Sequence, residues 1–160
     1  MTRAAADVRR AVEGDLAAIA ALEACAFPGL SYPYFVLRQL FDVHSHLMLV
    51  TAGAEGLRGY VLLAGDGGGQ SWLLSLAVHR SHRRQGHGRR LLDAVLGLAD
   101  DRGLGAVRLS VEPDNHPALR LYHAAGFCLV ERRPGYLGSG HDRLLMAREA
   151  PRRTPCSPGG

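Results

Sequence analysis

At 160 residues the chain has the length of one domain with a real core and leaves no room for two independent ones. Apolar residues at 47% and charged residues at 21% match a globular average and argue against collagenous, coiled-coil and wholly disordered chains. No apolar run approaches the roughly 18 residues that a membrane-spanning helix needs and no signal-type apolar core opens the chain, so a cytoplasmic protein without a membrane partner is expected.

The net charge of +4 is carried by arginine alone, which removes lysine as a catalytic group. Distribution matters more than the total: Arg80, Arg83, Arg84, Arg89 and Arg90 crowd one stretch together with His79, His82 and His87. Cys25, Cys128 and Cys156 are odd in number, widely spaced and free of any CxxC pair, the pattern of reduced thiols rather than of a disulfide framework or a zinc cluster.

In chain order, Val8 to Val12 reads as a first strand, and Asp15 caps a helix whose pattern runs Leu16, Ile19, Ala20, Leu22, Glu23. Phe27-Pro28-Gly29 breaks it, and a second helix spans Tyr34 to Phe41. Three short apolar runs follow, His46 to Ala52, Leu57 to Ala64 and Ser71 to His79, separated by glycine-bearing turns in the manner of an antiparallel meander. From Gly88 the stripe Leu91, Leu92, Val95, Leu96, Ala99 predicts a helix ended by Gly103 and Gly105. The strand Ala106 to Val111 then returns parallel to the preceding one, as a helical crossover requires. Asp114-Asn115 and Pro117 open a helix stopped by Gly126, and Phe127 to Arg132 with Arg143 to Arg148 form a late hairpin. The expectation is a single α+β domain over 1–150, a mixed, mainly antiparallel seven-stranded sheet with helices on both faces, followed by a disordered tail over 151–160.

Between the strand ending at Val78 and the helix from Arg89 lies Arg83-Arg84-Gln85-Gly86-His87-Gly88. A strand, a glycine turn and a helix N-terminus aim several unpaired N–H groups at one spot, where the helix dipole adds roughly half a positive charge. Glycine lets a phosphate approach the backbone, and the arginines attract it. By itself such a turn reads as readily as a solvated helix cap. It is not a Walker loop, which needs Gly-Lys-Ser/Thr, nor a dinucleotide fingerprint, whose third glycine and ribose acid are missing.

Arg83 to Gly88 resembles the [Gln/Arg]-x-x-Gly-x-[Gly/Ala] element of the GNAT superfamily of acyl-CoA-dependent N-acetyltransferases. Asn115-His116-Pro117-Ala118-Leu119-Arg120-Leu121-Tyr122-His123-Ala124-Ala125-Gly126-Phe127 resembles that family's Asn-x-x-Ala-x-x-Leu-Tyr-x-x-x-Gly-Phe. The likeness runs from about Trp72 to Arg148 and is strongest to the group that acetylates protein N-termini, typified by ribosomal-protein alanine acetyltransferases. It implies that Leu76, Ala77 and Val78 pair with the pantetheine arm of acetyl-CoA. It further implies that Arg83, Arg84, Gln85, Gly86, His87, Gly88 and Arg89 surround the diphosphate, that Asn115 contacts the arm, and that Tyr122 protonates the departing thiolate. Tyr32, Tyr34, Phe35 and Tyr136 are the expected acceptor wall, with ordinary packing the competing role for each.

Members of that group commonly carry a glutamate where this chain has Ser110. Strand alternation puts Glu112 on the same side, roughly 7 Å further along, so Glu112 acting through a water held by Ser110 is the expected base. The competing role for Glu112 is an exposed carboxylate paired with an arginine. The implied activity is acetyl transfer to a primary amine, a protein or peptide N-terminus ahead of a small amine such as a polyamine or antibiotic. A non-catalytic acetyl-CoA sensor stands as the alternative. No metal is expected, since His44/His46 and His79/His82 lack supporting ligands. No nucleic-acid partner is expected either, since the arginine cluster has no interleaved aromatics. A monomer or a homodimer fits a small sheet with free edges.

Overall fold

The computed structural model describes residues 7–152; most of the expected tail, from 153 on, lies outside the described residues. Seven strands form one sheet: β1 (Val8–Arg10), β2 (Met48–Gly53), β3 (Gly56–Gly65), β4 (Gln70–Val78), β5 (Ala106–Val111), β6 (Cys128–Arg133) and β7 (Arg143–Arg148). Four helices accompany them: α1 (Leu16–Ala26), α2 (Tyr34–His44), α3 (His87–Asp101) and α4 (His116–Ala124). The spatial order is β1-β2-β3-β4-β5-β7-β6, with β4–β5 the one parallel pair. This is the mixed, mainly antiparallel α+β sheet that the sequence predicts. β7 returns into the lane beside β5 and leaves β6 as the outer edge, with all six β6 residues exposed.

Helices cover both faces because each sheet face carries its own apolar set. On one side α3 and α4 close over Leu91, Val95, Leu109, Phe127 and Met146; on the other, α1 and α2 close over Leu16, Ile19, Leu37, Val50 and Leu62. The α3 stripe is buried at every position that the 3.6-residue period requires, Leu91, Leu92, Val95, Leu96 and Ala99. Asn115 caps α4 by accepting a hydrogen bond on its side-chain oxygen from the Ala118 N–H at 3.2 Å. Asp15 does not cap α1 with its side chain: its carboxylate accepts from the Val12 N–H at 2.8 Å and pairs with Arg9 at 2.7 Å, which ties β1 to the helix start instead.

One irregularity opens the sheet. β4 and β5 pair only at Gln70↔Ala106, Ser71↔Val107 and Trp72↔Arg108, after which β5 continues beside β7 alone. On its other edge β4 stays with β3 up to Val78, through a bulge where Leu62 and Leu63 face Ser75 and Leu73. The two central strands therefore diverge toward their C-terminal ends. At the closed end Gly105, with φ +74°, sits so near Gly69 that a Cβ would lie 1.8 Å from the Gly69 carbonyl oxygen; only glycine allows this approach. Among the described residues no helix is long and apolar enough to cross a membrane.

Candidate active site

The opening between β4 and β5 is a cleft of about 470 Å³. Its β4 wall is Trp72 to Leu76 and its β5 wall is Leu109 to Val111, with Glu112 just beyond the strand end. Beyond Trp72 the β4 edge has no β5 partner; the Leu74 carbonyl accepts from the Tyr32 hydroxyl at 3.5 Å and the Val78 carbonyl from Arg83 at 3.3 Å, contacts that an extended ligand pairing along this edge would replace. Of the three residues expected on this edge, Leu76 lines the cleft, Ala77 turns to the buried α1 side, and Val78 stands 3.7 Å from where a Gly88 Cβ would be.

At the open end the chain makes a single 3-10 turn at Arg80–His82 and enters α3 through Gly86, whose φ of +82° is the left-handed cap conformation. Arg84 shares that region at φ +61°. The first helical hydrogen bond closes from the Arg90 N–H to the Gly86 carbonyl at 3.1 Å, so the amides of His87, Gly88 and Arg89 precede the helical ladder. Most of the surrounding side chains are committed within the turn. Arg83 donates to the Val78 carbonyl at 3.3 Å, Gln85 to the Ser81 carbonyl at 3.5 Å, and Arg90 to the Gln85 carbonyl at 3.2 Å and His87 Nδ1 at 3.1 Å. Arg89 pairs with Asp93 at 2.9 Å, and Arg84 is exposed. The turn is thus rigid, positively charged and presents backbone donors, the properties an anionic diphosphate needs.

Tyr122 enters the cleft from α4. It is 8% exposed, its ring lies edge-on to Phe127 at 5.8 Å between centroids, and burial pushes its phenol up to about 12. Asn115, Ser110 and Glu112 also line the cleft. Glu112 stands at the mouth, with its side chain 62% exposed and 3.5 Å from the Arg143 guanidinium; the arginine pairing weighed for it in the sequence is present. Of the expected acceptor wall, Tyr32 and Tyr136 line the cleft, and the Arg133 guanidinium lies 5.2 Å over the Tyr136 ring. Tyr34 and Phe35 do not: they are exposed in the first turn of α2, whose core contacts are Leu37, Leu40 and Phe41, and helical spacing turns Phe35 away from Leu37.

One more carboxylate stands in the cleft, and no motif marks it. Glu23 of α1 is 1% exposed and lines the cleft. One carboxylate oxygen accepts from the hydroxyls of Tyr60 on β3 and Ser75 on β4. The other accepts from the Tyr32 N–H at 3.2 Å. The sequence signal was its place in the buried stripe of α1, seven residues after Leu16, where a carboxylate is out of character. Leu137 and His141 also join the lining without any motif to mark them. Among the described residues no group of three or more His, Cys, Asp or Glu is placed to hold a metal ion.

Three likenesses bear on this geometry. The bS18-alanine N-acetyltransferase of Escherichia coli K12 is 34% identical over 81 residues, 49% of this chain and 55% of that enzyme. The Ard1 structure from Thermoplasma volcanium superposes with a TM-score of 0.84 at 24% identity, covering 91% of this chain and 98% of its own. The NatC complex bound to Gag peptide and CoA gives a TM-score of 0.83 at 18% identity, covering 91% and 98%. The matched stretch spans between 21% and 57% of the curated relatives' length. The Acetyltransferase (GNAT) family model matches residues 16–127, which takes in the diverging strands, the glycine turn and the α4 tyrosine, and the chain belongs to that family.

Proposed function

We propose that this protein transfers the acetyl group of acetyl-CoA to the α-amine of a protein or peptide N-terminus, by direct attack of the amine on the thioester. The observation that carries the reading is the parting of β4 from β5 in front of the α3 glycine turn, with Tyr122 on the wall between them. The backbone of Arg84 to Gly88 holds the diphosphate. The free β4 edge through Leu76 to Val78 takes the pantetheine arm as an added strand, and Asn115 donates its amide N–H to that arm. The relatives whose names mention protein substrates, and the neighbour with peptide and CoA bound, support the peptide class of acceptor.

In the reaction the amine nitrogen bonds to the acyl carbon and a β4 amide near Leu76 stabilises the oxyanion. The C–S bond then breaks, and Tyr122 donates a proton to the thiolate. A phenol held at about 12 stays protonated over the working pH range, so the donor is always armed. An α-amine, with a pKa of about 7.7 to 8.0, is already neutral at roughly the ten-percent level near pH 7, against about one part in a thousand for a lysine side chain. The acceptor's remaining proton has an outer way out, through water held by Ser110 to Glu112 at the mouth.

The test is release of free CoA thiol from acetyl-CoA in the presence of peptides beginning with Ala, Ser and Met, with spermidine as the small-amine comparison. Release with a peptide supports the reading. Binding of acetyl-CoA with no release on any acceptor overturns it in favour of a sensor.

A further inference from the structure

Glu112 is exposed and already bound to Arg143, whereas the other carboxylate lining the cleft is interior. Burying a carboxylate is costly unless hydrogen bonds replace its water, and an apolar residue of similar size at such a place is often more stabilising. Glu23 receives those bonds from three separate elements, β3, β4 and the loop before α2. The three donors differ in kind. The Tyr60 hydroxyl is fully buried, and desolvation together with the nearby Glu23 drives its phenol far above the ordinary range. The Tyr32 donor is a main-chain amide, which does not exchange a proton on the catalytic time scale. Of the two hydroxyls that donate to Glu23, only Ser75's belongs to a residue that lines the cleft.

Ser75 also sits at the bulge where β4 leaves its regular register, two residues past Leu73 and one before Leu76 on the acyl-donor edge. A hydroxyl there has the thioester edge on one side and a carboxylate on the other.

We propose that Glu23, acting through the Ser75 hydroxyl, is the proton acceptor for the incoming amine. The amine arrives as an ammonium and gives one proton to Ser75 Oγ while Ser75 passes its own proton to Glu23 Oε1. The neutral nitrogen then bonds to the acyl carbon. Collapse of the tetrahedral adduct breaks the C–S bond, sends the electron pair to sulfur with the Tyr122 proton, and releases the second nitrogen proton to water. Glu23 is a positioning residue in this scheme, and Ser75 is the atom the amine meets. The inference rests on the transferase reading above.

The other titratable groups facing Glu23 are the Tyr60 and Tyr32 phenols; along the cleft stand Tyr122, Tyr136, His141, Arg143 and Glu112. The deciding experiment is the pH profile of kcat/KM between 5.5 and 9 on whichever peptide of the Ala, Ser and Met set the wild type acetylates. With Glu23 in place the enzyme uses the ammonium form, and activity persists below the amine's pKa of about 7.7 to 8.0. In Glu23→Gln only the neutral amine reacts, so activity falls about tenfold per pH unit below that value and approaches wild type above pH 8.5.

Ser75→Ala, which keeps the carboxylate, reproduces the same steep profile. His141→Asn, at the one imidazole among the cleft-lining residues, keeps the wild-type shape. Calorimetric binding of acetyl-CoA to each variant, at wild-type affinity, shows that the fold and donor site are intact. A wild-type profile in both Glu23→Gln and Ser75→Ala overturns the inference, as does a steep profile in Glu112→Gln alone. If Glu23→Gln does not fold, Ser75→Ala decides by itself. No turnover by the wild type on any peptide overturns the transferase reading, and this inference with it.

Discussion

Replacing Tyr122 by Phe isolates one oxygen atom. The ring is 8% exposed and packs edge-on against Phe127 at 5.8 Å, and Phe keeps that contact. The hydroxyl is desolvated enough to push the phenol up to about 12, so removing it costs the fold little; the melting temperature should move by no more than about 4 °C, the equivalent of ~1 kcal/mol or less. Catalysis is a different matter. Without a proton donor the thioester must expel a free thiolate, and general acid catalysis contributes typically about 10² to 10⁴ in rate, or about 2.7 to 5.4 kcal/mol of barrier. Single-turnover CoA release at saturating acetyl-CoA should therefore drop at least 100-fold, with the acetyl-CoA dissociation constant within about threefold of wild type. Because the phenol stays protonated throughout, the wild type should show no loss of rate attributable to Tyr122 up to about pH 10. A Tyr122→Phe variant that retains a third or more of the wild-type rate would refute the assignment of this hydroxyl as the acid.

Two glycines separate ligand effects from folding effects. A methyl at Gly88 would meet Leu121 at 3.5 Å and Val78 at 3.7 Å, ordinary contact distances, so Gly88→Ala should melt within about 2 °C of wild type while its affinity for acetyl-CoA, read by calorimetry, falls about tenfold, ~1.4 kcal/mol. Gly105→Ala should instead cost ~2 kcal/mol or more in urea unfolding, since its φ is positive and its Cβ would collide with the Gly69 backbone. Arg148 donates to both carboxylate oxygens of Asp100 at 3.0 and 2.9 Å, joining β7 to α3; Arg148→Met should lower stability by about 1 kcal/mol at low salt and by less in molar salt. The hydrogen bond and charge of Arg9 hold the Asp15 carboxyl below its ordinary range. Its contribution is therefore complete above about pH 4 to 5 and fades as pH falls through the lowered folded-state value. Thermal melts of Asp15→Asn and wild type should converge in strong acid and differ at neutral pH.

Most element boundaries were legible because hydrophobic period, glycine and proline act locally. Ala106 to Val111 and Arg143 to Arg148 coincide with β5 and β7, and the α3 stripe is buried as its spacing demands. Val8 to Val12 shortens to Val8–Arg10 because Asp15 draws the Val12 N–H into the following turn. The second helix runs on from Phe41 to His44, where no breaker stands. The glycine turn and Tyr122 were readable from their motifs. The parting of β4 from β5 was not, since it depends on a register of three pairs and a bulge that no residue announces. Glu23 was in plain view within the α1 pattern, but its partners are 9, 37 and 52 positions away, and only the folded chain brings them to it.

The sheet is in effect two leaves, β1 to β4 and β5 to β6, whose shared margin is three residue pairs at one corner. A donor seated along the open margin would serve as the missing stitch, turning two flaps into a continuous fabric. The amides of Leu76 and Val78, which point away from β3, should then trade their hydrogens with heavy water far more slowly in the loaded protein, although they lie on a central strand.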